Sequence, residues 1–410
     1  MRAIRAGICV LVTFAVLAHG GVEPWSEGVL EAGTAVLLLL WAWKAATDPE
    51  LTLVWSPLFW PLLAVWSIGA VQWAAGISMV PYLTRLELLK YSTLLALFFL
   101  CVQSYRTRAH WRGFVWFLLI LGFAVSLFAI LQHFTFNGKL YWVREMRYGG
   151  TPFGPYVNRN HFAGLMELLI PTGVAIQVLG GERRDQLPLL TLFTLLPIGA
   201  LFLSASRGGI MSFFAEMGFL AILVVLRRRE KKALLGAVLI IGLAVVLVSW
   251  LGIGAAMERF ASYKGLEVSE GRRVGMLHGT WHIFLDQPVM GTGLGTLQEV
   301  YPRYETVLDG LIVNHSHNDY AEALAETGII GGICFLTFLV FLFWNAWRIL
   351  VADNEGRNLA YHAGALVACF GLLIHAFVDF NFHIPSNALL FLLQAALATC
   401  VLPLSAERER

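Results

Sequence analysis

The segment WRGFVWFLLILGFAVSLFAILQH, residues 111–133, decides the class of fold. It holds a single permanently charged residue, Arg112, next to its start. A helix crosses the hydrocarbon core of a bilayer in about 20 apolar residues. Inside that core, only a helix or a closed barrel satisfies every backbone polar group. The segment therefore predicts a membrane-spanning helix.

Eleven other segments are similarly long and apolar, so we predict an all-α polytopic membrane protein with about 12 transmembrane helices. The predicted spans lie near residues 5–22, 28–46, 52–74, 86–104, 111–133, 160–179, 187–203, 209–226, 233–254, 319–347, 358–378 and 387–404. The first segment, which follows Arg2 and Arg5, also fits a signal peptide. Because further spans follow it, we interpret it as the first membrane helix.

The composition of the 410-residue chain agrees with a bilayer environment. Hydrophobic residues make up 58% of the chain and charged residues 14%, against about 25% charged residues in ordinary globular domains. The formal net charge is only +2, so no basic excess indicates nucleic acid as a partner. The five cysteines all lie in apolar runs and form no CxxC motif, which predicts buried thiols rather than disulfides or metal ligands.

The placement of the basic residues predicts the orientation of the chain. With the N-terminus in the cytoplasm, 17 of the 29 Lys and Arg residues fall in inner segments such as RRREKK, 227–232. By the positive-inside rule, both termini are then cytoplasmic. The chain divides into helices 1–9 over residues 1–254, with a shorter outer loop at 134–159, then a long periplasmic loop at 255–318, then helices 10–12 over 319–410.

Three polar motifs each open a predicted span that runs from the outside inward. They are NRNHFAG at 158–164, SASRGG at 204–209 and NHSHNDY at 314–320. A helix N-terminus has unpaired N–H groups and a positive dipole end, which suits an anion, in particular a phosphate. The alternative is that the motifs are helix caps with arginines at the lipid headgroups. The candidate substrate-binding side chains in these motifs are Arg159, His161, Arg207, His315, Asn318 and Asp319, and His317 is the candidate catalytic residue.

The long outer loop adds a pair of arginines and a run of glycines. Arg272 and Arg273 lie in SEGRRVG, and guanidinium groups match phosphate oxygens in a bidentate way, although a solvated charge pair is the simpler alternative. The sequence GTGLG, 291–295, superficially resembles a nucleotide-binding loop, but it has no strand before it and no helix after it. We therefore interpret GTGLG as a turn.

Histidines and buried carboxylates supply the remaining candidates. His315, His317 and Asp319 permit a metal cluster, with His161 or His383 as a further ligand, but they match no fixed metal motif. A neutral histidine acting as a general base is better supported, because the ordinary pKa of histidine lies near working pH. Three carboxylates, Glu167, Glu216 and Asp379, lie within or at the edge of predicted spans, where ionisable groups are candidates for function.

The ordered set of motifs resembles the O-antigen ligase and polymerase superfamily of bacterial membrane glycosyltransferases. The resemblance covers about residues 150–390. It rests on four features in order along the chain: SRGG at 206–209, a loop arginine before PVMGTG at 288–293, HSHNDY at 315–320 followed by ETGIIGG at 326–332, and HAFVDFNFHIPSN at 375–387. Among these enzymes the chain is most similar to the O-antigen ligases, and the resemblance implies a C-type glycosyltransferase fold.

The resemblance implies an activity, its substrates and its location. A glycan on undecaprenyl diphosphate would be transferred, with inversion and without a metal or other cofactor, to lipid A–core oligosaccharide at the periplasmic face of the bacterial inner membrane. It implies that His317 matches the essential histidine of the family, and that Arg207 with Arg272 or Arg273 matches its essential arginines. A repeat-unit polymerase and a protein-directed oligosaccharide transferase are alternatives within the same enzyme class.

A transporter or flippase for an anionic lipid-linked solute is the alternative from another class. It would explain the intramembrane carboxylates and the basic outer motifs. Such transporters commonly show two related halves and helices broken at the midplane, and neither is evident in the sequence.

Overall fold

The computed structural model describes residues 1–145, 152–227, 242, 270–305, 312–353 and 358–401, and its regular structure there is helical. The helices are α1 Arg2–Leu17, α2 Pro24–Thr47, α3 Phe59–Ala74, α4 Pro81–Ser104, α5 Arg108–Phe134, α6 Arg159–Leu179, α7 Leu187–Leu203, α8 Arg207–Arg227, α9 Glu270–Asp286, α10 Leu297–Val300, α11 Asp319–Ala352, α12 Leu359–His375 and α13 Pro385–Thr399. Within these described ranges, the predicted all-α class is confirmed.

Eleven of the twelve predicted spans coincide with helices. The ninth, 233–254, lies outside the described residues apart from residue 242. In the described part of the chain, seven helices are long and apolar enough to cross a membrane, namely α2, α4, α5, α6, α8, α11 and the stretch Arg184–Leu203 that contains α7. Shorter apolar helices, α3, α12 and α13, join them. The chain thus has the architecture of a multi-pass membrane protein.

Helix α6 is the centre of the bundle, since 18 of its residues are buried. It packs against α7, α8, α12 and α13. Glycines permit these close contacts, as is usual between membrane helices. A Cβ atom at Gly364 of α12 would overlap the backbone of Thr172, and one at Gly173 would lie 2.6 Å from Oγ1 of Thr194 in α7. The small residues of α6 and α12 therefore fix the distance between their axes.

One buried carboxylate ties three parts of the bundle together at the end opposite the three polar motifs. Glu182, in the connection between α6 and α7, accepts two hydrogen bonds from Nε and one from Nη2 of Arg112 in α5, at 2.8–3.0 Å. It also accepts bonds from Trp116 and from the hydroxyl of Tyr361 in α12. Burial opposes its ionisation, but the bonds from Arg112, Tyr361 and Trp116 outweigh burial and lower the pKa of Glu182.

The long helix α11 is broken where the glycine loop meets it. Gly328 has φ +64° and ψ −166°, a conformation open essentially to glycine alone. Just before this break, Glu326 accepts hydrogen bonds from the backbone N–H groups of Gly295 and Leu297, at 2.9 and 3.0 Å. Gln72 of α3 donates to the carbonyl of Glu326. The GTGLG sequence is therefore a turn, as predicted, although the short helix α10 follows it, which the sequence did not indicate. The N–H groups of its Gly295 and of Leu297 after it hold a carboxylate of the same chain.

The described part of the predicted outer loop, 255–318, forms a small layer of its own. Helix α9 packs against α11, and Met276 and Ile283 of α9 are buried in a cluster with Val300, Tyr301 and Ala325. This second cluster is separate from the main hydrophobic core. The layer therefore rests on the first turns of α11, above the break at Gly328.

The packing of α6 on α12 predicts a test with a matched control. We expect Gly364→Ala to cost about 1–3 kcal/mol of stability, since the new methyl group is forced into the Thr172 backbone. Gly218→Ala in α8, where a Cβ would meet nothing within 4 Å, should be neutral or slightly stabilising. Thermal unfolding in detergent measures both; equal midpoints for the two variants would contradict this account of the packing.

Candidate functional site

The starts of α6, α8 and α11 converge on the connection between α12 and α13, residues 376–384. The backbone N–H of Asp319 donates to the carbonyl of Ala376 at 2.9 Å. Asn387, at the start of α13, donates to the carbonyl of His161 at 2.9 Å. A Cβ at Gly208 would lie 2.7 Å from Nε2 of His375. The structure therefore brings together the three motifs that the sequence places on one face.

Asp379 is the centre of this convergence. Its side chain is fully buried, and its Oδ1 lies 3.3 Å from Nδ1 of His317 and 3.8 Å from Nε2 of His161. The contact with His317 has an ion-pair distance without good hydrogen-bond alignment. Burial opposes ionisation of Asp379, but the interaction with His317 and the charges of His161 and His375 outweigh it, so the pKa of Asp379 lies well below its ordinary value.

His317 has an unusual backbone conformation for a side chain with a Cβ. Its φ is +54°, in the left-handed region, which costs about 1–3 kcal/mol and is found mainly at functional sites. The next residue, Asn318, caps α11 by accepting from the N–H of Ala321 at 2.9 Å, and its amide donates to the carbonyl of Phe377. These bonds fix the backbone of His317 so that its half-buried ring points toward Asp379.

The ring of Phe380 separates three histidines. His315 stacks on it with ring centroids 4.4 Å apart, while His161 and His317 meet it edge to face at 4.7 and 4.9 Å. Aromatic contacts of this kind are worth about 0.5–1.5 kcal/mol each beyond the burial of their area. Phe380 therefore holds the imidazoles apart and in fixed orientations.

The second motif is joined to the first by a hydroxyl. Ser206 donates to Oδ1 of Asn160 at 2.8 Å and accepts from the N–H of Gly209 at 3.2 Å. Ala205 before it has φ +56°, so this motif, like that of His317, has a left-handed residue ahead of its helix. Arg207 is exposed at the first position of α8, and Arg159 is half-buried at the first position of α6.

A second cluster of histidines and carboxylates lies beside Phe380. Nδ1 of His383 is 2.9 Å from Oδ1 of Asp319, and its Nε2 is 3.3 Å from Oε1 of Glu322. Nδ1 of His315 is 2.8 Å from the same Glu322 oxygen. Burial opposes protonation of His383, but Glu322 and Asp319 outweigh it and raise its pKa to about 10. His315 and Asp319, predicted from the sequence to bind substrate, are thus linked to each other through Glu322 and His383.

Buried ionisable groups continue below the site into the bundle. Nδ1 of His375 lies 2.8 Å from Oε1 of Glu167, and both side chains are buried. Glu216 of α8 is also fully buried and lies against Gly371 of α12. Two of the three carboxylates that the sequence places within or at the edge of predicted spans, Glu167 and Glu216, therefore line the same α6–α8–α12 contact.

Arg272 and Arg273 lie in the first turn of α9, in the outer layer. Both are half-buried, and Nε of Arg273 is buried without a hydrogen-bond partner among the residues that the structure describes. The helix that carries them packs against α11. Their assignment to the diphosphate stays a prediction.

Sequence reasoning found His161 and His317 but missed the groups that organise them. Asp379 was recognised only as a carboxylate near a membrane edge, and His383 only as a further metal ligand. Glu322, in the first turn of α11, was not recognised as a site residue. Neither were Phe380 and His375, whose signal is the polar, aromatic segment HAFVDFNFHIPSN, 375–387, between two apolar runs. That segment supplies most of the contacts described above.

The comparison with known families bears directly on this site. Residues 192–336 match the family described as O-antigen ligase. The resemblance predicted from the motifs is confirmed over this segment. It runs from α7 through α9 into α11, so it contains Arg207, Arg272, Arg273 and His317 but not His161 or Asp379. No curated protein matches the chain. The match is a similarity of this segment, about a third of the chain, to that family.

The lowered pKa of Asp379 predicts a pH-dependent stability difference. Its charged form contributes stability above the unfolded-state pKa of about 3.9, and this contribution is lost as pH falls toward the lower folded-state pKa. We expect Asp379→Asn to lower stability by about 1–3 kcal/mol at pH 6, and the difference from the natural protein to shrink below pH 4.

Thermal unfolding of both proteins across this pH range measures the effect. Asp185→Asn is the control, because Asp185 is exposed and pairs only at the surface with Arg183, where ion pairs contribute little. A gap between Asp379→Asn and the natural protein that is absent at pH 6, or that widens in acid, would contradict the assigned charge.

Proposed function

We propose that the protein is a glycosyltransferase of the O-antigen ligase type. It moves a glycan from undecaprenyl diphosphate to a sugar hydroxyl of lipid A–core oligosaccharide, with inversion and without a metal. The observation that carries the proposal is the pairing of His317 with buried Asp379 where three helix N-termini meet. This arrangement places a general base beside the positive ends of helix dipoles. In addition, residues 192–336 of the chain match the O-antigen ligase family.

His317 is the proposed general base. In the transfer, the acceptor oxygen attacks the anomeric carbon from the face opposite the diphosphate, and the bond from that carbon to the diphosphate oxygen breaks. The hydroxyl proton passes to His317, and undecaprenyl diphosphate leaves with the electron pair. Asp379 orients the imidazole and stabilises the imidazolium that forms, while Phe380 limits its rotation. General-base catalysis of this kind is worth about 10²–10⁴-fold in rate.

The leaving diphosphate is the proposed ligand of the arginines. Negative charge grows on it as the bond breaks, and fixed donors stabilise such charge without reorganising. Arg159 and Arg207, each at the first position of a helix that starts at the site, would combine guanidinium groups with helix N-termini. Arg272 and Arg273 would add bidentate contacts from the outer layer. The donor is already activated, so no nucleotide is required.

The remaining predicted side chains have proposed roles around this centre. His161 shares Asp379 with His317 and would bind substrate next to it, and Asn318 holds the loop that carries His317. His315 and Asp319 would act from the neighbouring cluster with Glu322 and His383. Membrane lipids surround the helices, and we assign both termini to the cytoplasm and the site to the periplasmic face from the positive-inside rule.

Two alternatives from the same enzyme class share these residues. A repeat-unit polymerase would use another lipid-linked glycan as acceptor, and a protein-directed transferase would use a protein hydroxyl or amide. Incubation with undecaprenyl-diphosphate glycan and each acceptor distinguishes them, because a lengthened lipopolysaccharide supports the ligase and a ladder on the carrier lipid supports the polymerase. A transporter would instead move its substrate across proteoliposomes without forming a new covalent product.

The role of His317 predicts the outcome of one substitution. We expect His317→Ala to lower the rate of glycan transfer by about 10²–10⁴-fold, because the acceptor hydroxyl loses its base. His278→Ala, which removes an exposed imidazole from α9, should leave the rate unchanged. Gel analysis of the product made by purified protein measures both rates, and full transfer by His317→Ala would rule out the base assignment.

The metal-free mechanism predicts the effect of a chelator. Since arginines and helix N-termini stabilise the departing diphosphate, we expect transfer by purified protein to continue at an unchanged rate in excess EDTA. The same gel assay measures it, with and without added Mg²⁺. Loss of transfer in EDTA that a divalent cation restores, with no change in the thermal unfolding midpoint, would contradict this part of the proposal.

A further inference from the structure

The cluster of His315, Glu322 and His383 has the donor set of a transition-metal site. One ligand atom from each residue lies within 4.8 Å of the others. Two imidazole nitrogens and one carboxylate oxygen are a common three-ligand set for Zn²⁺ and similar ions, with a fourth position left open. We propose that this cluster binds one divalent transition-metal cation that clamps the start of α11 to the connection before α13.

The two donor distances that involve Glu322 lie near those of a tetrahedral ion. Ligand atoms about 2.0–2.1 Å from zinc at tetrahedral angles lie about 3.3 Å from one another. Oε1 of Glu322 is 3.3 Å from Nε2 of His383, which already has this spacing, and 2.8 Å from Nδ1 of His315. The second pair needs to open by about half an ångström to reach it. The histidine rings are close enough to share an ion, with centroids 4.5 Å apart.

The surroundings orient the ligands as the outer groups of a metal site do. Nδ1 of His383 faces Asp319 at 2.9 Å, which leaves Nε2 directed at the proposed ion, and such carboxylate–histidine pairs accompany most histidine metal ligands. The other oxygen of Glu322 accepts from the N–H and the hydroxyl of Ser316, at 2.9 and 3.2 Å. Both partners are fixed by neighbours, so the donor atoms are preorganised.

An acidic crevice adjoins the cluster at His383. It lies between α2, α4 and the start of α13, and His383 forms part of its lining. The charged residues that line it are Glu27, Glu31, Glu87 and Lys90, and Lys90 pairs with Glu27 and Glu87. The three carboxylates against one ammonium group favour entry of a cation. The side chain of His383 is 21% exposed, compared with 1% for Glu322, so the ion would enter at the histidine.

The proposed ion site includes His315 and supporting Asp319 from the candidate substrate-binding set, but neither His317 nor Asp379. The nearest catalytic group, His317, pairs with Asp379 across Phe380 rather than with Glu322. The proposed ion contacts no reacting atom, so it stabilises the fold without entering the chemistry. A protein that binds the ion but transfers no glycan would leave this inference intact, and an active protein that binds none would leave the proposed function intact.

The test is a Co²⁺ titration of chelator-treated, purified full-length protein at pH 8. We expect one Co²⁺ per chain with the strong visible absorption of a four- or five-coordinate ion. Glu322→Gln and His383→Ala should weaken binding at least 100-fold. Asp319→Asn should weaken it about 10–100-fold, as loss of an outer partner does.

An exposed pair of histidines on α9 requires a control. Nε2 of His278 and Nε2 of His282 lie 3.3 Å apart and form a possible adventitious site. The double variant His278→Ala/His282→Ala should keep the Co²⁺ absorption and affinity of the natural protein. X-ray absorption on this double variant should still report two imidazole ligands, which tests the site even if the Glu322 variant fails to fold.

Two results would overturn the proposal. One is that the natural protein shows no saturable Co²⁺ binding, in which case a proton on His383 alone balances the carboxylates. The other is that binding persists in Glu322→Gln and disappears in the α9 double variant, which would identify the exposed pair as the site.

Discussion

A carboxylate that must keep its charge while buried inside a membrane bundle governs the structure of the site. Asp379 has no solvent exposure, and its nearest ionisable neighbours are histidines from two different helix starts. Removing an ion from water costs several kcal/mol unless partners replace the lost hydration. The starts of α6 and α11 must therefore approach the connection after α12. The glycines of SRGG let α8 come equally close, since a Cβ at Gly208 would collide with His375.

The same constraint explains where strain is stored. His317 contacts Asp379 from a left-handed backbone, and the Asn318 cap together with the Phe380 ring holds it there. In such an arrangement, folding and not substrate binding supplies the free energy that positions the imidazole. A base held in this way needs little reorganisation when the substrate arrives, which is the condition under which fixed polar groups accelerate a reaction most.

Much of the fold was predictable because hydrophobicity and length are local properties: apolar runs such as 111–133 give their spans directly. The three motifs were also predictable, since caps, glycines and arginines mark helix starts. The pairing of His317 with Asp379 was not, because about 60 residues and two helices separate them, and only packing decides which polar groups meet. Likewise, GTGLG was recognisable as a turn, but its carboxylate partner Glu326 was fixed by the break at Gly328 in another element.

The hydrogen bonds beside that break anchor one end of α9. The segment 288–297 is held to α3 through Gln72 and to α11 through Glu326, and it follows the C-terminal end of α9. From this point to the arginine pair, the helix extends about 20 Å at 1.5 Å per residue. A rotation of α9 by about 3° about the segment 288–297 would displace the guanidinium groups by about 1 Å. Contacts to a phosphate form or break on this scale. A small rotation at the glycine-rich segment 288–297 would thus change the positions of the guanidinium groups of Arg272 and Arg273.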